Sequence, residues 1–480
     1  NLGSILNELG QFDEAADHFR QSVELKPGLA ETHYNLGVAL KDIGQLDGAL
    51  TSFRKALEIQ PDYIEAQTSL LFTLNYTGHS PEYCLQEAHK YGRVVAKKAT
   101  APFSDWRCAA RPERLRVGLV SGDFRNHPVG FFLEGLLAHI DPARIELIAY
   151  PAYKKEDDLT ARIKPYFSAW KPLPGKNDEA AARLVHADGV HILLDLSGHT
   201  AHNRLPVFAW KPAPVQVSWL GYFATTGVTE MDYLLADPYI APRVEASHFT
   251  EAIWRLPESY LCFTEPEYAV DVSPLPALSA GCITFGCFNN LAKMNDAVVD
   301  LWVRVLHAVP GSRLLLKAKQ LDDPAVCNNT RRRFTERGIS PDRILLEGRA
   351  PRAELLAAYR MVDIALDTFP YPGGTTSVEG LWMGVPVITR RGDRFLSHMG
   401  ETIVLNAGLP GWIAADDDEY VAKAVEHSAD LERLASLRSI LRQQVLASPL
   451  FDAPRFARNF ETALWEMWQT WCDNQPKGKA

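Results

Sequence analysis

The N-terminal part of the sequence repeats itself at an interval of 34 residues, and this interval constrains the fold more than any other feature of the chain. The triplet Asn-Leu-Gly at 1–3 recurs at 35–37, and Phe19 recurs as Phe53. A period of this length is typical of stacked helical pairs, each of which buries its apolar face against its neighbours. The sequence therefore predicts an all-α solenoid at the N-terminus.

The spaced positions resemble those of the tetratricopeptide repeat, in which two helices form each unit. A glycine, here Gly3 and Gly37, lets the first helix of a pair approach the second, and an aromatic ring such as Phe53 fills the space between them. Pro27 and Pro61 end the second helices, because proline has no N–H group to continue the hydrogen-bond ladder. Many spaced positions agree at once, so the repeats are predicted from spacing alone.

We assign residues 1–98 to these repeats, with a degenerate last pair of helices. In this phase the first repeat would begin about four residues before Asn1, so we expect the sequence to be cut from a longer solenoid. Repeats of this kind bind extended protein segments in a groove. Asn1 and Asn35 occupy equivalent positions and are predicted to hydrogen-bond the backbone of a protein acceptor in that groove. Residue type alone favours the interpretation that the two asparagines lie on a solvated polar helix face. The family resemblance described below favours the interpretation that they line the groove.

Composition excludes several classes of protein. A net charge of −9 leaves no surplus of cations to coat a nucleic acid, although a pocket for a small anion needs only a few positive groups. The seven cysteines are odd in number and include no Cys-x-x-Cys pair, which indicates a reducing cytoplasm and no structural zinc site. No apolar run approaches the roughly 20 residues that span a bilayer. Neither a nucleic acid nor a membrane is therefore a predicted partner.

The hydrophobic period changes after a linker at 99–114. Short apolar strands then alternate with helices, which is typical of a doubly wound parallel sheet. The pattern runs through two halves, 115–275 and 281–450, and predicts two Rossmann-like α/β halves with a site in the cleft. An amphipathic aromatic helix within 451–475 is predicted to pack back on the first half. Ligands of such sheets bind at the carboxyl ends of the strands, where the polar turns lie.

One of these turns combines glycines with the start of a helix. Adjacent glycines at 373–374 let backbone N–H groups approach a ligand, and a helix is predicted to begin at Thr375 or Thr376. A helix N-terminus offers free N–H donors and partial positive charge, which suits a diphosphate. Glu379, one turn into the helix, is placed to accept from ribose hydroxyls. Taken alone, a capped helix after a tight loop explains this segment equally well.

Two further loops carry a cation and a titratable ring. Lys293 is placed to neutralise charge on a leaving diphosphate, with Asn290 beside it. His127 follows the first strand and is a candidate general base or acceptor-orienting residue. Taken alone, a solvated lysine and a structural histidine are the commoner interpretations. His191, inside an apolar strand, is better interpreted as a core histidine.

Taken in order, these motifs resemble the nucleocytoplasmic protein O-glycosyltransferases, which include the O-GlcNAc transferases and plant-type protein O-fucosyltransferases. The resemblance covers essentially the whole chain. The link between the two halves is short, as it is in bacterial members of the family. It implies a GT-B fold, inverting chemistry and no metal or other cofactor, in line with the lack of an Asp-x-Asp motif after a strand. The motifs that carry it are the repeats, Asp123-Phe-Arg-Asn-His-Pro128, 212–222, Phe288-Asn-Asn-Leu-Ala-Lys293 and Gly374-Thr-Thr376.

The resemblance also assigns roles by position. His127 matches an active-site histidine near the acceptor, Lys293 a phosphate-binding lysine, and the Thr375–Thr376 pair the diphosphate site. Leu355 stands where a base-stacking histidine occurs, so the contact with the base differs. The remaining implied positions are Asn290 and Gly374 at the donor, Ala350 and Arg352 beside base and ribose, Glu379 at the ribose, and Asp188 with His191 as a catalytic polar pair near the sugar.

The implied reaction moves GlcNAc from UDP-GlcNAc to Ser or Thr hydroxyls of proteins. Segments 289–293 and 366–371 look more like the fucosyl branch, which makes GDP-fucose the alternative donor. A repeat scaffold with an inactive enzyme and an enzyme for small acceptors are the other hypotheses. Binding of UDP against GDP separates these cases, because a pure scaffold binds neither nucleotide.

Overall fold

The computed structural model describes residues 2–8 and 11–475, so that Asn1 lies outside the described residues. The chain divides into two compact units. The first comprises Asn1–Thr264 together with Ala453–Ala480, and the second comprises Glu265–Asp452. The repeats and the first α/β half therefore share one unit, and the boundary between the halves falls at 264/265 rather than near 275.

The repeat region consists of antiparallel helical pairs. Gly37 is required where α3 and α4 meet, because a Cβ there would lie 2.6 Å from the Phe53 ring. In the degenerate last pair, Pro81 begins a helix that Ser80 caps by accepting from the Tyr83 N–H at 3.3 Å. The helices are Leu2–Glu8 (α1), Phe12–Leu25 (α2), Ala30–Asp42 (α3), Leu46–Ile59 (α4), Ile64–Leu74 (α5) and Pro81–Lys98 (α6).

The last helical pair packs directly on the first α/β half. The amide of Asn75 donates to the Tyr222 hydroxyl at 3.2 Å, and both side chains are buried. Helix α6 approaches so closely at Gly92 that a Cβ there would lie 1.9 Å from the carbonyl oxygen of Gly227. This close contact explains why the repeats belong to the same compact unit as the first half.

The first α/β half is built on a parallel sheet in the order β3-β2-β1-β4-β5-β6-β7. Strand β1 lies between β2 and β4, with Val120 opposite both Tyr150 and Asp195. The sequence did not predict β3, β6 and β7. The strands are Leu115–Ser121 (β1), Ile145–Pro151 (β2), Ala169–Trp170 (β3), Ile192–Asp195 (β4), Val215–Ser218 (β5), Tyr233–Ala236 (β6) and Ala252–Arg255 (β7), and the helices are Pro128–Leu137 (α7), Asp158–Ile163 (α8), Asp178–Ala187 (α9) and Leu205–Phe208 (α10).

The second half has its own parallel sheet, in the order β10-β9-β8-β11-β12-β13. The helix predicted to begin at Thr375 or Thr376 begins at Thr375, and the short strand Ile413–Ala414 was not predicted. The strands are Thr284–Cys287 (β8), Arg313–Lys317 (β9), Ile344–Glu347 (β10), Ile364–Leu366 (β11), Val387–Arg390 (β12) and Ile413–Ala414 (β13). The helices are Ala277–Ala280 (α11), Asp296–Ala308 (α12), Pro324–Thr335 (α13), Arg352–Ala358 (α14), Thr375–Trp382 (α15), Met399–Asn406 (α16), Asp417–Ala429 (α17) and Leu431–Leu446 (α18).

The last helix, Ala453–Asp473 (α19), returns to the first unit. Its Phe460 ring lies 5.0 Å from the buried Trp219 ring, and its Glu461 carboxylate accepts from Arg144 at 2.9 Å. The predicted fold class, helical repeats followed by two Rossmann-like halves, is confirmed. Within the described part of the chain, no helix is long and apolar enough to cross a membrane.

Candidate functional site

His127 lies at the carboxyl edge of the first sheet, in the loop that joins β1 to α7. It is the N-cap of α7, and its Nδ1 atom accepts from the Val129 N–H at 3.3 Å. A carboxylate oxygen of Asp123 lies 3.5 Å from the same Nδ1 atom. Burial lowers the pKa of His127, and the neighbouring Asp123 opposes that shift. The ring is therefore neutral near pH 7.

The contacts of Nδ1 decide which ring nitrogen carries the proton. The Val129 N–H group lies closer to Nδ1 than the Asp123 oxygen does, at 3.3 Å against 3.5 Å, and an atom that accepts from a backbone N–H is unprotonated, so we assign the proton of the neutral His127 ring to Nε2. In this tautomer Nε2 can donate a hydrogen bond but cannot accept a proton. The ring is then suited to orient a hydroxyl oxygen.

Three loops at the same edge are joined by stacked side chains. The Arg125 guanidinium lies over the Tyr153 ring at 5.1 Å, and the Tyr153 ring stacks on the His202 ring at 4.1 Å. Arg125 also donates to Asp123 at 3.0 Å, so the stack helps to hold the carboxylate that faces His127. No local pattern in the sequence predicts this stack, because its members follow three different strands.

The expected catalytic pair of Asp188 and His191 is contradicted by the structure. His191 is buried, its Nδ1 accepts from the Arg116 N–H at 3.0 Å, and its Nε2 lies 3.2 Å from the Ala109 carbonyl oxygen. The carboxylate of Asp188 is held by Tyr150 at 2.7 Å and by a lysine. Both residues precede β4, so they lie at the amino edge of a parallel sheet, opposite the edge that carries the His127 loop.

The second unit carries a loop that joins β11 to α15. The buried carboxylate of Asp367 accepts from the Gly373 N–H at 2.6 Å, which turns this amide inward. Gly374 is the N-cap of α15 and adopts φ −104° and ψ −88°, so that Thr375 and Thr376 form the first turn. Because the first N–H groups of a helix have no partner within it, they are available to a ligand. The structure therefore brings together Gly374, Thr375 and Thr376, which are the residues of this loop expected at the diphosphate.

Lys293 lies beside this loop. Its ammonium donates to the Pro372 carbonyl oxygen at 2.8 Å and lies 3.8 Å from the centre of the Tyr371 ring. Burial lowers the pKa of Lys293 to about 8, and the nearby Asp367 carboxylate opposes the shift. The side chain is thus a partly buried cation next to a helix N-terminus, a combination that suits an anionic group with several oxygens.

Of the two adjacent asparagines, the structure places Asn289 rather than Asn290 in the loop network. The Asn289 amide oxygen accepts from the Thr376 hydroxyl at 2.8 Å, and its nitrogen donates to Thr368 at 3.3 Å. Asn290 is exposed and accepts from the Ala292 N–H at 3.0 Å. Asn289 was not among the predicted site residues. The available signal was its position two residues after β8, closer than Asn290 to the buried end of the strand.

The segment expected beside base and ribose meets the helix of the diphosphate loop. Arg352 begins α14, and its guanidinium lies 2.5 Å from the Glu379 carboxylate of α15. Glu379 is only 2% exposed; burial raises its pKa and Arg352 opposes the shift. Ala350 and Leu355 lie nearby in sequence and are partly buried. Glu379 thus holds the Arg352 guanidinium in place at the start of α14.

In the repeats, Asn35 is partly exposed on α3, as a residue that contacts an acceptor must be. Its predicted counterpart Asn1 lies outside the described residues. Across the described ranges, no group of three or more His, Cys, Asp or Glu side chains is arranged to hold a metal ion.

Comparisons with known proteins agree with this description. The model of "Glycosyl transferase family 41" matches residues 79–265 and 274–460, and two tetratricopeptide-repeat models match 3–44 and 30–63. A probable UDP-N-acetylglucosamine–peptide N-acetylglucosaminyltransferase SPINDLY of Solanum lycopersicum is 38% identical over 84% of this chain and 44% of its own length. The corresponding transferase of Caenorhabditis elegans is 24% identical over 76% of this chain and 41% of its own length.

One solved structure matches almost the whole chain. A mutant O-GlcNAc transferase of Thermobaculum terrenum is 36% identical, with a TM-score of 0.92, over 98% of this chain and 90% of that one. This match confirms the GT-B class predicted from the sequence. The chain spans less than half the length of the curated relatives described above.

Proposed function

Because the chain belongs to glycosyl transferase family 41, we propose that it transfers N-acetylglucosamine from UDP-N-acetylglucosamine to serine or threonine hydroxyls of proteins. The observation that carries the proposal is the Lys293 ammonium beside the first turn of α15. Relatives named for this reaction, at 36–38% identity, support the choice of donor.

In the proposed reaction the second unit binds the sugar nucleotide. Backbone N–H groups of Gly374 and Thr375 and the Lys293 ammonium take the diphosphate, and Arg352 at α14 takes the ribose and base. Charge builds on the diphosphate as the bond between it and the anomeric carbon breaks. A cation and helix dipole already in place stabilise that charge without reorganisation, and no metal ion is required for this role.

The acceptor hydroxyl attacks the anomeric carbon from the face opposite the diphosphate, which inverts the configuration. The new bond joins the hydroxyl oxygen to this carbon, and UDP leaves with the electron pair of the broken bond. His127, with its proton on Nε2, donates a hydrogen bond that orients the hydroxyl oxygen. The hydroxyl proton then passes to an oxygen of the departing diphosphate.

We further propose that the repeats bind the protein acceptor, with Asn35 contacting its backbone, and that the enzyme works in the cytoplasm. The seven cysteines all lie within the described ranges and none of them forms a disulfide, which fits a reducing compartment. The partly exposed Asn35 side chain on helix α3 carries an amide, which can both donate to and accept from the backbone of an extended segment.

Isothermal titration calorimetry with UDP and GDP, followed by mass spectrometry of a peptide library incubated with each sugar nucleotide, tests the proposal. We expect UDP to bind and UDP-N-acetylglucosamine to modify Ser or Thr. The relatives described above give no support to GDP-fucose as the donor. If the peptides were fucosylated instead, GDP-fucose would replace UDP-N-acetylglucosamine as the donor in the proposal. Binding of neither nucleotide would instead identify an inactive scaffold and refute the proposal.

A further inference from the structure

The carboxylate of Asp367 is the centre of a hydrogen-bond network under the diphosphate loop. The side chain is only 2% exposed and lies directly after β11. Its four donors come from three segments of the chain, namely its own loop, strand β12 and the loop after β8. They are the N–H of Gly373 at 2.6 Å, the N–H of Thr368 at 3.0 Å, the hydroxyl of Thr389 at 3.0 Å and the amide of Asn289 at 3.4 Å.

These bonds determine which groups of the loop remain available to a ligand. Because Asp367 takes the Gly373 N–H, the preceding carbonyl of Pro372 is oriented toward the Lys293 ammonium at 2.8 Å. Because Asp367 also holds Asn289, the amide oxygen of that side chain accepts the Thr376 hydroxyl proton. The Thr376 hydroxyl is thereby committed as a donor, and the first N–H groups of α15 remain for an anion.

We infer, on the basis of the proposed function, that Asp367 is a positioning residue of the donor site. Its carboxylate touches no substrate. It holds the Gly373 amide and the Lys293 ammonium in the arrangement that receives the diphosphate of a sugar nucleotide, and it does so only in its ionised form. The donor affinity is therefore coupled to the charge of a group beneath the site.

The surroundings of Asp367 favour a change of charge within an accessible pH range. Burial raises the pKa of Asp367 to about 6, and its hydrogen bonds and Lys293 oppose the shift. Below that pH the neutral acid is a weaker acceptor for the Gly373 amide and no longer attracts Lys293. The other titratable groups around it are the Cys287 thiol, the Tyr359 and Tyr420 hydroxyls, and, at the start of α16, His398 paired with Glu401 at 3.0 Å.

The test measures the affinity of the full chain for UDP-N-acetylglucosamine by calorimetry between pH 5 and 8. This probe is suitable because its phosphates have no ionisation near pH 6, whereas the terminal phosphate of UDP does. For the wild type we expect the affinity to fall by up to about tenfold per pH unit below 6. For Asp367→Asn we expect weaker binding at pH 7.5 and the loss of this pH dependence.

Asp363→Asn is the matched control. Asp363 is a second buried carboxylate on the same strand segment, and it accepts from the backbone N–H groups of Ala277 at 2.9 Å and Thr284 at 2.8 Å. It lies at the amino end of β11, away from the loop. Its substitution should lower stability and leave the pH dependence of donor affinity unchanged.

Thr389→Val provides a second variant if Asp367→Asn does not fold. It removes a single donor to the Asp367 carboxylate, so it destabilises the charged form and should move the fall in affinity to higher pH. A merely structural role would leave that midpoint in place. The inference is overturned if the pH dependence of wild-type binding persists in Asp367→Asn, or if Thr389→Val does not move the midpoint of the fall in affinity. Either result leaves the proposed function unaffected. Absence of nucleotide binding by the wild type at every pH overturns the proposed function as well.

Discussion

Replacing Lys293 by methionine should separate activity from stability. Methionine keeps most of the side-chain volume and removes the charge. If the ammonium stabilises the departing diphosphate, its loss should cost about 3–4 kcal/mol of transition-state stabilisation, or a 10²- to 10³-fold fall in kcat/KM. The backbone hydrogen bond to Pro372 shows that the ammonium is already in place beside the loop.

The same substitution should make the protein more stable near neutral pH. The folded-state pKa of Lys293 is about 8, against an ordinary value of 10.5, so the fold disfavours the charged form. At about 1.4 kcal/mol per pKa unit, the cost is at most about 3 kcal/mol. The lost contacts with Pro372 and the Tyr371 ring reduce the gain, which leaves about 1–3 kcal/mol.

The direction of this change in stability can be checked through its dependence on pH. Because the folded-state pKa is depressed, the unfolded chain binds more protons between pH 8 and 10.5, and the wild type gains stability as pH rises through this window. The advantage of Lys293→Met should therefore be full below pH 8 and vanish by about pH 10.5, as measured by urea denaturation. In the wild type kcat/KM should also fall above pH 8, as the ammonium loses its proton.

Lys423→Met is the control, because Lys423 also donates to a backbone carbonyl, that of Gly411 at 2.9 Å, within the same unit. It should retain normal turnover. Near-normal turnover of Lys293→Met would refute the role of the cation. A variant less stable than the wild type at every pH would refute the electrostatic reasoning, even if activity were lost.

Three further substitutions test other parts of the molecule. Gly37→Ala places a Cβ 2.6 Å from the Phe53 ring and should cost about 1–3 kcal/mol in urea denaturation, whereas Gly28→Ala, which meets no described atom within 4 Å, should cost almost nothing. Equal effects would contradict the packing argument. His127→Asn keeps an N-cap acceptor, so thermal stability should persist while kcat falls, and an unchanged kcat would exclude a role in the reaction. Glu379→Ala removes the buried carboxylate that pairs with Arg352 and should lower stability by about 3 kcal/mol, with a loss below about 0.5 kcal/mol contradicting the importance of the pair.

The sequence by itself determined the order of the architecture. A helix places contacting residues at fixed spacings, so Gly37 and Phe53 could be identified from the 34-residue interval alone. The alternation of apolar strands and helices determined the two Rossmann-like halves, and the glycines before Thr375 located the helix start. These signals are local, because each depends on neighbours along the chain.

Only the tertiary structure decided which polar residues meet. Asp188 and His191 come just before β4 and lie at its amino end, whereas the His127 loop lies at the carboxyl edge of the same sheet. Asn289 and Asn290 are the same residue type, and the direction of the strand end turned only Asn289 inward. Asp367 gained its role from donors that lie up to 78 residues away. Contacts between residues this far apart in the sequence depend on how separate strands are ordered in a sheet. A local sequence pattern contains no information on that order.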